Sequence, residues 1–209
     1  IYGNKENYLE AFAQFTEKIR PDGYLIIHEG LEVKPRVQEG VKCFVYGREN
    51  GDFHAENIRL IDGGHYLYDI VLPDGRIEDC ELGILGKVHI ENAVAAVAML
   101  WCAAKIENKE FNADAVRKAL KDFEGVKRRM EVYVNTPKQV YIDDYAHHPE
   151  EIRQSILSIR EVFAGRKISG IFQPHLFTRT RDFYKEFAEA LSLLDEVWLT
   201  EIYPARELP

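Results

Sequence analysis

Several large protein classes are excluded by what this 209-residue sequence has little of. Cysteine is scarce. Cys43, Cys80 and Cys102 are an odd number and form no CxxC pair, which rules out a disulfide framework and a zinc ribbon and fits a reducing cytosol. Long apolar runs are missing. The longest, VAAVAMLWCAA at 94–104, is far shorter than the ~20 residues that span a bilayer. Positive charge is in deficit: 27 Lys and Arg against 35 Asp and Glu give −8, the wrong sign for a general nucleic-acid binder, though a local basic site for one small anion remains open.

Phosphate-binding and nucleophile motifs are absent as well. ELGILGK at 81–87 ends in Gly86-Lys87, but Val88 stands where Ser or Thr would hold magnesium, and Glu81 replaces the first Gly of a P-loop. Neither GxGxxG nor GxSxG occurs. There is no initiator Met; the chain opens on IYGNKENY and stops at ARELP, so a fragment is expected.

What is present suffices for a packed core: 46% of residues are hydrophobic and 30% charged. The length allows one large domain or two small ones. Residues 5–19 place Tyr8, Leu9, Phe12, Phe15 and Ile19 at helical spacing, and YLIIHEG at 24–30 reads as a buried strand. From 43 to 84 the period becomes two. CFVYG, FHAENIRLID, HYLYDIVLP and RIEDCELGI alternate between NGD, DGG and PDG turns, which predicts an antiparallel meander or small added sheet. Helices follow at 88–106 and 112–122. Beyond FEGVKRR at 123–129, the expected domain joint, strands at 130–134, 139–145, 167–173 and 196–202 alternate with helices at 149–164 and 179–194. That rhythm predicts a parallel α/β sheet.

Two strand-to-helix turns in this second half carry the densest chemistry. In DDYAHHPEE at 143–151, Asp143 and Asp144 end a strand and Pro149 opens a helix, the edge of an α/β sheet where ligands bind. Carboxylates there accept sugar hydroxyls; His147 and His148 suit phosphate or proton transfer. The plain alternative is a turn with a polar cap. In QPHLFTRTRD at 173–182, His175 ends a strand and Arg179 and Arg181 fall near a helix start, where cations oppose the helix dipole unless an anion sits between them. The plain alternative is pairing with Asp182 or Glu186. KRR at 127–129 is either a solvated basic triplet or a set of cations that reach a ligand held at the joint. HIENAVAA at 89–96 begins a helix whose small residues favour close packing, though Asn92 also has the donors and acceptor to bond a purine edge. His28, His54 and His65 have no partners at metal spacing and read as structural.

Taken in order, HIENAVAAVA (89–98), FEGVKRRMEV (123–132), DDYAHHPEEI (143–152), FQPHLFTRTRDFYKEFA (172–188) and EIYPARE (201–207) resemble the Mur ligases of peptidoglycan synthesis. The FQPH and YPARE blocks look like the alanine-adding branch; residues 1–88 match more loosely. The resemblance implies an α/β fold incomplete at both ends. Residues 1–125 would be the later portion of the central ATP-binding domain, with its antiparallel strands. Residues 126–209 would be a truncated Rossmann-like C-terminal domain. The family's P-loop and most metal ligands would precede Ile1, and the fragment alone would be inactive.

The activity so implied is amide formation with ATP and Mg²⁺. The lactyl carboxylate of UDP-N-acetylmuramate is phosphorylated, and the amine of L-alanine attacks the acyl phosphate. Neither nucleic acid nor membrane is implied as a partner, and the expected location is the cytoplasm. Carried over residue by residue, Asn92 resembles an adenine contact. His89 takes a neighbouring cofactor position where Asn is more usual. Asp144 resembles the ribose-bonding Asp, and Arg129 an Arg that reaches the ATP phosphates and acts in catalysis. His147 and His148 match the family's His pair, of which His147 is expected to be catalytic. His175 and Arg179 resemble residues at the amino-acid and acyl end, and Leu176 stands where some members carry Arg. No metal ligand is assigned within the chain. A tripeptide-recycling relative shares the DD-HHP feature but differs around 172–182. A non-catalytic nucleotide-binding module is the alternative outside enzymes.

Overall fold

The structure, a computed structural model, describes residues 2–207. The chain divides into two compact units. One comprises residues 1–59, 67–82 and 89–122; the other comprises 60–66, 83–88 and 123–209.

The first unit opens with α1 (Lys5–Thr16), started by Asn4, whose side chain accepts from the Asn7 amide at 2.8 Å. The helix expected there forms, but its aromatic residues do not face the core. Tyr8, Phe12 and Phe15 are 46%, 42% and 72% exposed, while Ala13 and Thr16 are the buried positions. The aromatics instead cluster among themselves: Tyr8 packs on Phe12 at 4.8 Å between ring centroids and on Tyr2 at 5.4 Å.

A second expectation is corrected here. CFVYG does not join the meander. It forms β2 (Lys42–Tyr46), which lies parallel to β1 (Tyr24–His28), in register from Tyr24↔Lys42 to His28↔Tyr46. The connection over residues 29–41 is long enough to return the chain to the same end of the sheet, which a hairpin cannot do. The other three segments do form one sheet: β3 (His54–Leu60), β4 (Tyr66–Leu72) and β5 (Gly75–Glu81), in that order. β4 and β5 are antiparallel, with the register slipping between Tyr68 and Ile70.

The bulge leaves Asp69 buried. Its oxygens accept from the Asn57 amide group at 2.7 Å and the Asp79 N–H at 2.9 Å, and both donor residues sit in the left-handed region, at φ 53° and 55°. Burial acts to raise the Asp69 carboxyl, but these two hydrogen bonds and the charges of Arg76 and Arg59 outweigh it and hold it below the ordinary range. Two helices complete the unit: α2 (Val88–Ile106), and α3 (Ala113–Lys121), which is capped by Asn112 and packs on β5. Trp101 of α2 meets Phe44 and Phe53, each at 5.5 Å, and donates to Asp74 in the β4–β5 turn at 2.9 Å.

The second unit begins with β6 (Glu131–Asn135) antiparallel to β7 (Val140–Asp143). Helix α4 (Pro149–Val162) follows, with Pro at its first position, where the missing N–H costs nothing. β8 (Ser169–Phe172) and β9 (Glu196–Leu199) pair in parallel, as the strand–helix rhythm predicts, but the parallel sheet expected of all four strands is corrected: β6 and β7, joined by a short turn, pair antiparallel in a sheet of their own. The crossover between them is not the single helix expected at 179–194. It breaks at Phe183 into α5 (Phe177–Asp182) and α6 (Tyr184–Leu191). The core is a ridge-on-ridge contact: Ile152 and Ile156, one turn apart on α4, meet Phe187, Ala190 and Leu191 of α6. Burying side chains of this size is worth about 1.5–3 kcal/mol each.

Candidate functional site

Four of the expected site residues sit in two segments of the second unit, the turn after β7 and the turn and short helix α5 after β8, and a fifth on the segment leading into β6. The first turn is built by α4 itself. A helix start leaves backbone N–H groups without partners. Here the Glu151 carboxylate, three residues into the helix, reaches back and accepts from the amides of His147 at 2.9 Å and His148 at 3.2 Å. Burial pushes the Glu151 carboxyl up, but those amides and the charges of His147 and Arg129 outweigh it and hold it low. Glu151 was not singled out from sequence, although the spacing from His148 to Glu151 is that of a capping box.

With the turn so fixed, the two histidines part. His147 is half-buried, and its Nδ1 lies 2.9 Å from the Tyr145 carbonyl. A carbonyl only accepts, so Nδ1 carries a proton and Nε2 is the ring nitrogen left for other partners. His148 is exposed, its ring 5.2 Å from Phe183. The two acids part as well. Asp143 stays in the strand, its carboxylate 3.5 Å from Arg128. Asp144, half-buried, accepts a hydrogen bond from the Ser155 hydroxyl on α4.

Arg129 lies on the segment leading into β6. The non-glycine residues on either side of it, Arg128 and Met130, hold φ of 59° and 52°, a conformation that costs of order 1–3 kcal/mol at each. The strain is held by specific bonds: the Arg128 N–H donates to Glu131 at 2.7 Å, and the Arg128 carbonyl accepts from Tyr145 N–H at 2.7 Å. Glu131 is therefore engaged by backbone rather than as an ion-pair partner of Arg129. Both arginines stand over the Tyr145 ring, Arg128 at 4.8 Å and Arg129 at 5.6 Å. Arg129 also lines a cleft of about 530 Å³ within this unit, together with Lys127, Gly125 and Asn135.

The turn after β8 supplies His175 and Arg179. His175 is half-buried, its ring stacked on Tyr203 at 5.6 Å and 28°, and the two residues form a β-bridge. Leu176 follows at φ 72° and caps α5. Since α5 has only six residues, the expected clash of Arg179 and Arg181 with the dipole of a long helix does not arise. Arg181 takes the plain alternative and pairs with Asp182 at 2.8 Å. Arg179, half-buried, donates instead to the His147 carbonyl at 3.4 Å, so the two turns meet.

His89 and Asn92 belong to the first unit, on the first turns of α2; His89 is half-buried and Asn92 exposed. Beside them Glu91 is met by Nε2 of His28, a carboxylate partner for a histidine that shows none in the sequence. Among the described residues no group of three or more His, Cys, Asp or Glu is placed to hold a metal ion, and no helix is long and apolar enough to cross a membrane.

With this geometry in place, the chain can be compared with known proteins. The Mur ligase middle domain matches residues 1–100, and the domain described as Mur ligase, glutamate ligase domain, matches residues 128–209. This chain belongs to the Mur ligase family. Along its whole length it is 53% identical to the UDP-N-acetylmuramate–L-alanine ligase of Parabacteroides distasonis and 48% identical to that of Phocaeicola vulgatus, and it spans 44% of each relative's length. The structure of the UDP-N-acetylmuramate-alanine ligase MurC of Thermotoga maritima superposes with a TM-score of 0.72 at 26% identity, over 96% of this chain and 42% of that one. The two turns and the Arg129 segment all fall within the stretches that match Mur ligases, residues 1–100 and 128–209.

Proposed function

We propose that this chain forms part of an ATP-dependent ligase that joins L-alanine to UDP-N-acetylmuramate, with residues 1–125 in its ATP-binding domain and residues 126–209 in its C-terminal domain. The observation that carries this reading is the meeting of the two turns through Arg179 and the His147 carbonyl. It brings the segment after β7, which carries Asp144 and His147, against the segment after β8, which carries His175 and Arg179, in a chain 53% identical to a ligase of that name.

The donor set fits a nucleotide. Asp144 is an anionic acceptor for ribose hydroxyls, with no cation pairing it among the described residues; Arg129, exposed on a strained segment, offers a guanidinium fork to phosphate. In the first unit, Asn92 and His89 resemble the family's adenine-side residues. When bound, ATP with Mg²⁺ supplies the phosphoryl group that activates a carboxylate. The chain's own contribution is to place and neutralise charge: Arg129 stabilises the transferring phosphoryl group. Arg179 and His175 hold the carboxylates of the two reactants in line. Nε2 of His147 takes the proton that the attacking amine must lose. A charged nucleotide-sugar substrate supports a cytoplasmic location.

The test is phosphate release by the full-length protein carrying this chain, supplied with ATP, Mg²⁺ and UDP-N-acetylmuramate. Release that requires L-alanine is expected. Release with a tripeptide in place of L-alanine would assign the protein to a recycling ligase, and no release with either would set the reading aside.

A further inference from the structure

Asp143 and Asp144 are neighbours in sequence but have different partners. Asp143 faces a cation, Arg128, at 3.5 Å. Asp144 faces a neutral hydroxyl, that of Ser155, which donates to its Oδ2. Ser155 lies in the middle of α4, half-buried between the core residues Ile152 and Ile156. A serine inside a helix commonly turns its hydroxyl back to the carbonyl four residues earlier. Here the hydroxyl proton is given to Asp144, eleven residues away in sequence.

The consequence is chemical. A hydroxyl fixes one carboxylate oxygen without neutralising the charge, as an arginine would, and without taking the second oxygen. α4 is anchored to α6 by the apolar core, so the hydroxyl is a rigid reference point. A carboxylate held at Oδ2 presents Oδ1 in one orientation, and an acceptor so oriented loses less freedom when a ligand hydroxyl arrives.

We propose that Ser155 is a positioning residue for nucleotide recognition: its hydroxyl orients the Asp144 carboxylate so that the remaining oxygen accepts a ribose hydroxyl. The proposal rests on the reading of Asp144 as the ribose partner. A purely structural Ser155 would help hold the turn together and leave nucleotide preference alone.

The experiment compares kcat/KM for ATP, 2′-deoxyATP and 3′-deoxyATP in the full-length ligase and in its Ser155→Ala, Ser155→Thr, Ser155→Cys and Asp144→Ala variants. Ser155→Ala is expected to cut the preference for ATP over one deoxy analogue by about three- to tenfold, the effect of one hydrogen bond, through KM and with kcat within about threefold. Ser155→Thr keeps the hydroxyl and restores the preference. Ser155→Cys, close in size but a weak donor, behaves like Ser155→Ala and serves if that variant does not fold. If Asp144→Ala abolishes the preference while Ser155→Ala and Ser155→Cys retain it, the proposal is overturned and the reading of Asp144 stands. If Asp144→Ala itself retains the preference, both fall.

Discussion

The Arg179 guanidinium donates to the backbone carbonyl of His147 at 3.4 Å, and so ties the turn after β8 to the turn after β7. One arginine thereby ties His147 to the segment after β8 that bears His175. The bond uses only one of the five N–H donors of the guanidinium, and the others remain for a carboxylate.

Replacement of Arg179 therefore has two separable effects. In the full-length ligase, Arg179→Lys keeps the charge and loses the fork. KM for L-alanine or UDP-N-acetylmuramate is expected to rise about tenfold or more, as the loss of a charge-assisted hydrogen bond implies, while KM for ATP stays within about threefold. A fall in melting temperature with both substrate KM values unchanged would reduce Arg179 to a tie between turns.

On the reading of Arg129 as the arginine that reaches the transferring phosphoryl group, Arg129→Lys is expected to lower kcat by more than about tenfold with little change in the KM for ATP, because an arginine so placed acts chiefly on transition-state charge. The left-handed residues on either side, Arg128 and Met130, are the structural reason to expect a specific task at this position. Steady-state kinetics decide it: a kcat within about threefold of the parent, or roughly 0.65 kcal/mol, removes Arg129 from the site.

Asp144→Ala should show the opposite split. A ribose hydrogen bond is present before and during the transition state, so its loss raises KM for ATP; at about 1.5–3 kcal/mol the rise is on the order of 10- to 150-fold. A normal KM with a collapsed kcat would make Asp144 a participant in the chemistry instead.

Asp69 makes a prediction about stability alone. Removing it takes the shared acceptor from the Asn57 side chain and the Asp79 amide, two part-buried hydrogen bonds to a carboxylate, so Asp69→Ala is expected to cost about 1–3 kcal/mol in urea unfolding. The folded carboxyl titrates below its unfolded value. Its contribution is therefore complete above the unfolded value, near 3.9, and disappears as pH falls through the lower folded one. The difference between parent and variant should be full at neutral pH and shrink only below about pH 4. A gap that widens on acidification would contradict this assignment.

Much of this was legible in the sequence, for local reasons. Pro149 after two histidines marks a helix start at the end of a strand, and α4 begins there. Alternation over 53–84 and the PDG turn give the β4–β5 hairpin. What was not legible depends on contacts distant in sequence. The parallel pairing of β1 with β2 is chosen by the return of residues 29–41, which form no helix or strand of their own although Leu31, Val33 and Val37 alternate with Glu32, Lys34 and Arg36. The aromatic stripe of α1 has a helical period, but its period does not say what covers it, and Phe15 remains 72% exposed. Leu176 at φ 72° and the break at Phe183 go against local preference, since a leucine gives no signal for the left-handed region. Ser155 was missed because a single serine in an amphipathic helix reads as a small filler; only the fold brings it to Asp144.

That this chain serves an enzyme that activates a carboxylate by phosphoryl transfer is tested most directly by isotope transfer. The full-length protein is given UDP-N-acetylmuramate labelled with oxygen-18 in its lactyl carboxylate, together with ATP, Mg²⁺ and L-alanine, and the released phosphate is examined by mass spectrometry. An acyl phosphate must surrender one carboxylate oxygen to phosphate when the amine displaces it, so each phosphate is predicted to carry one labelled oxygen. Unlabelled phosphate, with the amide product formed, would show that the carboxylate is never phosphorylated.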